Sequence, residues 1–362
     1  MNQVSRIALV LLLCWALPDA VALEIGVVEH HEVHGESLEN NVTDEDTRRN
    51  VAVYLPPDYA ESTGRRYPVL YLLHGILDTE VVWTRAWYDA DDPWGTVARL
   101  MDRGIAAGRL QPMIVVMPDQ KTRGGGSFYV DSAATGNWET FTVRDLVDWV
   151  DRRYRTLDGA ASRGVAGHSM GGYGALVLGM KYPERFSVVY AMNPAVLGWA
   201  ADLSTENPAF RSLLGRNDFS ELGDFYEPAL ICLAQAFSPN PDRPPFFADL
   251  PFRLDGDSLE PNEPAFSKWE ARFPANMAGQ YKDNLKQLAG LRFDSGYEDQ
   301  FAHIPITSRQ LSRRLTELGV SHVFEEFNGD HRNRLWGRTG RLYTEILPWF
   351  SLLLAGEDSE KD

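Results

Sequence analysis

Cysteine is nearly missing. The 362 residues contain two, Cys14 and Cys232. Cys14 lies inside an apolar leader, so a chain without that leader keeps one thiol and cannot close an internal disulfide. A disulfide-stapled scaffold is excluded, and Cys232 reads as a small buried hydrophobe. Basic charge is also short. Lys and Arg number 35 against 51 Asp and Glu, giving a net charge of −16, which argues against nucleic-acid or anionic-membrane partners. Internal repeats, heptads and low-complexity tracts are lacking, so solenoids, coiled coils and disordered linkers drop out.

Long apolar runs are lacking as well. Ile7 to Leu17 is too short to span a bilayer. With Arg6 before it and Ala20-Val21-Ala22 after it, the segment 1–22 reads as a signal peptide. The expectation is an exported protein, periplasmic or secreted, with the mature chain starting near Leu23 and no stable membrane insertion after cleavage. Residues 23–355 then form one domain, large enough for a full core. Residues 356–362 are a polar, frayed tail.

What is present centres on Gly167-His168-Ser169-Met170-Gly171. Arg163 to Ala166 before it reads as a short buried strand, and Gly172 to Leu178 after it as a small-residue helix. Strand, sharp turn and helix are the setting in which G-x-S-x-G presents a nucleophile. The glycines permit close strand–helix approach, and the serine takes a strained backbone.

Other strands fall on Val51–Leu55, Val69–Leu73, Ile114–Met117, Val188–Met192, Leu291–Asp294 and Val323–Phe327. Helices fall near 94–107, 143–154, 311–318 and 343–354, with Pro348 expected to kink the last. Residues 121–138 read as a loop containing Gly124-Gly125-Gly126. Its phosphate-cradle reading is weak, because no Lys-Ser pair follows. His30, His31 and His34 lack the spacing of a closed metal site and read as a solvated edge strand. Residues 196–288, rich in proline and aromatics such as Phe246, Phe247, Phe252, Trp269 and Phe273, read as a lid-like insertion above the sheet edge. Those aromatics either shape a pocket or pack a small core of their own. The alternation predicts an α/β fold, a mostly parallel sheet with helices on both faces and chemistry at the C-terminal strand ends.

Ser169 needs an imidazole to take its proton. His331 leaves the last strand at the correct edge and follows the order serine, acid, histidine; His303 is second choice. His74 reads as a turn-holding residue, and His168 as too close in sequence to Ser169 for base duty. The acid belongs in the loop after the preceding strand, where Asp294, Glu298 and Asp299 all qualify. An oxyanion requires two backbone amides, those of Met170 and, in the turn His74-Gly75-Ile76, of Ile76.

These pieces, with Val53-Tyr54-Leu55-Pro56-Pro57, Tyr71-Leu72-Leu73-His74-Gly75, Gly296-Tyr297-Glu298-Asp299 and Gly329-Asp330-His331, resemble the esterase-D-type branch of the α/β-hydrolases. That branch includes S-formylglutathione hydrolases, feruloyl esterases, siderophore esterases and mycolyltransferases. The resemblance spans most of residues 40–354. It implies Asp299 as the acid, supports Ile76 and Met170 as amide donors, and places the insertion between the strands carrying nucleophile and acid. The function expected is a serine carboxylic-ester hydrolase working through an acyl-enzyme on a small-molecule or glycan-linked ester. No metal or organic cofactor is implied. The alternatives are an acyltransferase using a sugar or lipid hydroxyl, and a non-catalytic binding module of the same fold. The leader argues against a cytosolic S-formylglutathione role, and the long insertion sets this chain apart from its relatives.

Overall fold

A computed structural model describes residues 23–86 and 89–356. The expected signal peptide and most of the polar tail lie outside the described residues. The alternation of apolar runs and amphipathic stretches resolves into one eight-stranded sheet. Its strands are β1 (Val27–His34), β2 (Arg48–Leu55), β3 (Val69–Leu73), β4 (Ile114–Pro118), β5 (Arg163–His168), β6 (Val188–Met192), β7 (Gly290–Gly296) and β8 (Val323–Phe327), in the spatial order β1-β2-β4-β3-β5-β6-β7-β8. The first two strands run antiparallel to their neighbours, and β4 onward is parallel.

Two cores follow from the pleat. Val69, Tyr71 and Leu73 point to one face, while Leu70 and Leu72 point to the other. The first face is covered by α2, α3 (Met170–Lys181) and α5 (His303–Glu317); α4 (Tyr226–Phe237) belongs to the same core. α2 joins Trp138–Thr140, a π-helical Phe141–Leu146 and Val147–Arg153. The other face is covered by α1 (Val97–Ala106) and by α6, a π-helical Leu342–Ile346 continuing into Leu347–Leu353. Each fully buried Val, Leu or Phe contributes about 1.5–3 kcal/mol, so β3 to β6, buried on both faces, anchor the molecule.

Several expectations shift. α2 begins at Trp138, five residues earlier than the periodicity suggests, because the apolar period is broken by its π segment. The irregularity in the last helix is likewise a π turn ahead of Pro348. The 121–138 loop carries a two-residue ladder, Asp131–Ser132 with Gly136–Asn137. In β1, His31 pairs with Glu29 at 2.9 Å, and His34, the strand's last residue, pairs with Glu39 at 2.9 Å.

The 196–288 segment contains α4, the short helices Pro208–Leu213, Ala265–Glu270, Pro274–Gln280 and Lys282–Leu285, and a hairpin of Phe252–Asp255 and Ser258–Pro261. Trp199 is the hub of its packing. Its ring stacks on Phe266 and Trp269 at 5.4 Å and meets Phe273 edge-on at 5.0 Å. Phe252, Trp269 and Phe273 are buried. Phe252, Trp269 and Phe273 therefore pack inward, as part of the core on the first sheet face.

Candidate active site

The C-terminal ends of β3, β5, β6, β7 and β8 share one edge, since Leu73 pairs with Gly167, His168 with Met192, and Gly296 with Phe327. Every loop expected to carry chemistry leaves from that edge.

Ser169 follows β5 directly and has φ 58° and ψ −114°. A non-glycine residue held there is strained by about 1–3 kcal/mol. The surrounding bonds hold it: Ser169 N–H donates to Met192 O at 2.9 Å, and Ser169 O accepts from Tyr173 N–H at 3.0 Å and Ala195 N–H at 3.1 Å. A Cβ on Gly167 would overlap the Gly171 carbonyl, and one on Gly171 would overlap the Leu73 carbonyl. The flanking glycines thus let helix α3 start against the strands.

His331 lies in the loop after β8 and is 3% exposed. Its Nδ1–H donates to Asp299 Oδ2 at 2.7 Å, and Asp299 Oδ1 accepts from Phe301 N–H at 2.9 Å. Burial pushes the His331 imidazole well below its ordinary value, helped by nearby Arg332 and His303. Burial likewise raises the Asp299 carboxyl. At neutral pH the ring is uncharged, with its Nε2 lone pair free to take a proton. The ring of His168, the residue before Ser169, lies 4.6 Å from that of His331. Among the described residues, Ser169 Oγ makes no hydrogen bond. Catalytic contacts of this kind often tighten only once substrate is bound.

The other carboxylates are occupied elsewhere. Asp294 Oδ2 accepts from the Tyr190 hydroxyl at 2.8 Å and pairs with Arg341 at 3.1 Å. Glu298 is exposed. His74 is fully buried. Its Nδ1–H donates to Gly75 O at 2.7 Å, and its Nε2 accepts from Gln120 N–H at 2.8 Å. Burial lowers its pKa to about 4, so it is a neutral brace for the turn.

That turn holds Ile76. The Leu77 N–H donates to Gly125 O at 2.9 Å, and the Tyr129 hydroxyl donates to His74 O at 2.9 Å. The triple glycine thus buttresses the turn. Neither the Ile76 nor the Met170 N–H finds an acceptor among the described residues. Two unpaired amides beside Ser169 can receive a negatively charged oxygen.

Sequence reasoning missed three supports. His168 Nε2–H donates to the His331 carbonyl at 2.7 Å, and Asn193 Nδ2 donates to the same carbonyl at 3.1 Å. Burial lowers the His168 pKa to about 3, so its ring stays a neutral donor. Asn193 Oδ1 also accepts from Gly296 N–H at 2.7 Å, joining the loops after β6, β7 and β8. The Phe301 ring meets His331 edge-on at 4.8 Å. The position of Asn193, directly after strand β6, was the one available signal.

Two cavities open at this edge, one lined by Ser169 and one by its neighbour His168. One is narrow and almost wholly apolar, lined by Ser169, Met170, Ile76, Phe128, Phe225 and Phe301 among others. Phe246, Phe247, Phe252, Trp269 and Phe273 are not in its wall. The other is roomier and of mixed character, and runs past Gly75 and His168 to Asp78, Trp83, Arg332 and Trp336.

A family model described as "Putative esterase" matches residues 44–339. The chain belongs to this esterase family. An esterase of Mycobacterium tuberculosis (strain ATCC 25618 / H37Rv) is 41% identical over 138 residues, 38% of this chain and 27% of that protein. An S-formylglutathione hydrolase of Paracoccus denitrificans is 32% identical over 168 residues, 41% of this chain and 52% of that protein. The matched stretches thus span about a quarter to a half of these relatives. Among solved structures, a ferulic acid esterase superposes with a TM-score of 0.63 at 21% identity, covering 91% of this chain and 99% of that one. An S-formylglutathione hydrolase from Agrobacterium tumefaciens gives 0.57 at 17%, covering 92% and 97%. At such identities the likeness is one of fold: this esterase-family chain has the α/β-hydrolase architecture.

Proposed function

We propose that the protein is an exported serine carboxylic-ester hydrolase. Ser169 Oγ attacks the ester carbonyl while His331 Nε2 takes its proton. Asp299 holds the Nδ1–H tautomer and stabilises the imidazolium that forms. The Ile76 and Met170 amides receive the developing oxyanion. The tetrahedral intermediate collapses, His331 returns the proton to the departing alkoxide, and an acyl-enzyme remains. Water then attacks the acyl carbon by the same route in reverse order, releasing the acid and freeing Ser169.

The observation that carries this reading is the strained Ser169, whose neighbour His168 donates to the carbonyl of a buried His331 that is itself bonded to Asp299 at 2.7 Å. Replacing Ser169 by Ala should leave the fold intact and cost on the order of 10⁶ in turnover of a p-nitrophenyl ester. Unchanged hydrolysis, or undiminished labelling by a fluorophosphonate probe, would sink it. Export is tested by sequencing the N-terminus of the mature protein, expected near Leu23.

The narrow cavity lined by Ser169 suits the acyl group, and the roomier one beside His168 suits the alcohol, whether small or attached to a glycan. The roomier cavity also favours a second reading, in which an acceptor alcohol bound there replaces water. Product analysis with an added alcohol separates transfer from hydrolysis. A purely non-catalytic role for the fold predicts no probe labelling at Ser169.

A further inference from the structure

The roomier cavity reaches the nucleophile. A Cβ built on Gly75, in its wall, would lie 3.5 Å from Ser169 Cβ, 3.6 Å from His168 Nδ1 and 3.3 Å from Asp78 Oδ2. Arg332 and Arg334, from the loop that carries His331, line the same cavity. That loop is out of keeping with the rest of the chain. From His331 to Arg341 it holds four arginines and no acidic residue, in a protein of net charge −16.

Arg341 is taken up by Asp294 and Glu345. The other three are left largely unanswered. Arg334 Nη1 donates to the Asn328 carbonyl at 3.1 Å and meets no carboxylate among the described residues. Arg338 is exposed and likewise meets none. Arg332 reaches Asp78 Oδ2 at 3.5 Å, well beyond the length of about 2.7–2.9 Å at which a charge-assisted bond is strong. The wall offers one more donor. Trp83 is 1% exposed, and its Nε1–H has no acceptor among the described residues. A buried donor left unpaired is costly, and native proteins seldom keep one idle. Two carboxylates share the wall. Asp92 Oδ1 already accepts from Trp94 N–H at 3.0 Å. Burial works against the charge on Asp78, which leaves it a weak partner for Arg332.

We infer that this cavity takes an alcohol bearing a negatively charged group, a carboxylate or a phosphate, which Arg332 and Arg334 hold in place of the loose contact to Asp78. The two arginines are then specificity-determining residues for the alcohol side of the ester. This rests on the ester-hydrolase reading, and the test separates the two. A neutral alcohol would leave both guanidiniums unanswered, and a cationic one would meet them as like charges. The net charge of the whole protein repels an anion at long range, so a preference for one must arise at this loop.

The experiment uses the full mature chain and acetate esters of benzyl alcohols. Each carries, meta or para on its ring, a carboxamide, a carboxylate, a phosphonate or a trimethylammonium group. The acyl part stays constant, and the esters differ in a charge remote from the reacting bond. The readout is kcat/KM of each charged ester over that of its carboxamide counterpart, within each protein variant and at low ionic strength. In the wild type an anionic ester should be favoured about tenfold. The carboxylate and phosphonate arms tell which anion fits. In the double variant Arg332→Gln, Arg334→Gln that ratio should fall to one or below, with fluorophosphonate labelling of Ser169 reporting a folded site. If the double variant is not labelled, Arg334→Gln alone decides the matter, its ratio falling clearly below that of wild type. Absence of an anion preference in the wild type, a preference that survives the deciding substitution, or a preference for the trimethylammonium ester would overturn the inference. Failure of the wild type to hydrolyse even a p-nitrophenyl ester through Ser169 would instead overturn the hydrolase reading.

Discussion

Two aspartate–histidine pairs lie near one serine, and they are built differently. Asp299 and His331 come from loops leaving adjacent parallel strands, and the His331 carbonyl is gripped by both His168 and Asn193. Asp202 and His303 join the long connection after β6 to the first residue of α5, and Tyr226 of that same connection completes the set. The first pair is fixed by the sheet; the second is fixed by a segment whose aromatics pack on Trp199 and join the core on one sheet face. The difference teaches that the proposed chemistry draws on strand ends, whereas the second pair belongs to the connection.

Substitutions can break that contrast. The largest effect is expected at His331: His331→Ala should lower turnover about 10⁶-fold, close to the loss for Ser169→Ala, because the two act as a unit. The same change at His303, which takes no part in the proposed steps, should cost far less on the same ester. Comparable losses at both histidines, read from steady-state kinetics, would erase the distinction. Next comes the acid. Asp299→Asn should cost about 10⁴ in kcat, since the imidazole tautomer is no longer held. If Asp294→Asn proves the more damaging to kcat, the assignment moves.

Asp294 is expected to act on stability instead. Removing its charge unbalances the buried Arg341, at about 3 kcal/mol; this is the low end of such losses because Glu345 still lies 3.1 Å from Arg341. Denaturant midpoints measure it. The smallest effect, counted for one ring over one pH unit, concerns acid. His74 and His168 are held neutral with pKa values lowered to about 4 and about 3, against about 6.5 in an unfolded chain. Below pH 6.5 the unfolded chain takes up protons that the native rings refuse. Stability therefore falls as pH drops from about 6.5 toward 4, by up to about 1.4 kcal/mol per pH unit for each ring. Urea unfolding at pH 7, 5.5 and 4.5 should show the slope, and His74→Gln should flatten it.

Much of the frame was legible because it rests on local pattern. The runs Val69–Leu73 and Val188–Met192 coincide with strands, since nothing but burial on two faces explains them. The bend at Ser169 was legible from glycine spacing. The choice among Asp294, Glu298 and Asp299 was not, because three carboxylates within six residues differ only in which way the loop turns them. His168 and Asn193 were hidden for another reason: both act on the backbone oxygen of His331, far along the chain, and leave no motif. The aromatics of 246–273 were ambiguous because a ring packed on Trp199 and a ring lining a pocket look alike in sequence.

The long connection also bears on engineering. It departs from the C-terminal end of β6 at Asn193 and rejoins at the opposite end of β7, where Ala289 N–H donates to Ser187 O at 2.8 Å. Its last helices lie along α3, with Asn284 bonded to Met180 O at 3.0 Å. Excision would therefore leave two stumps separated by the length of a strand, about 13 Å for five residues. A trimmed version must bring its own helix to make that return journey, so this segment can be exchanged for another but not simply cut away.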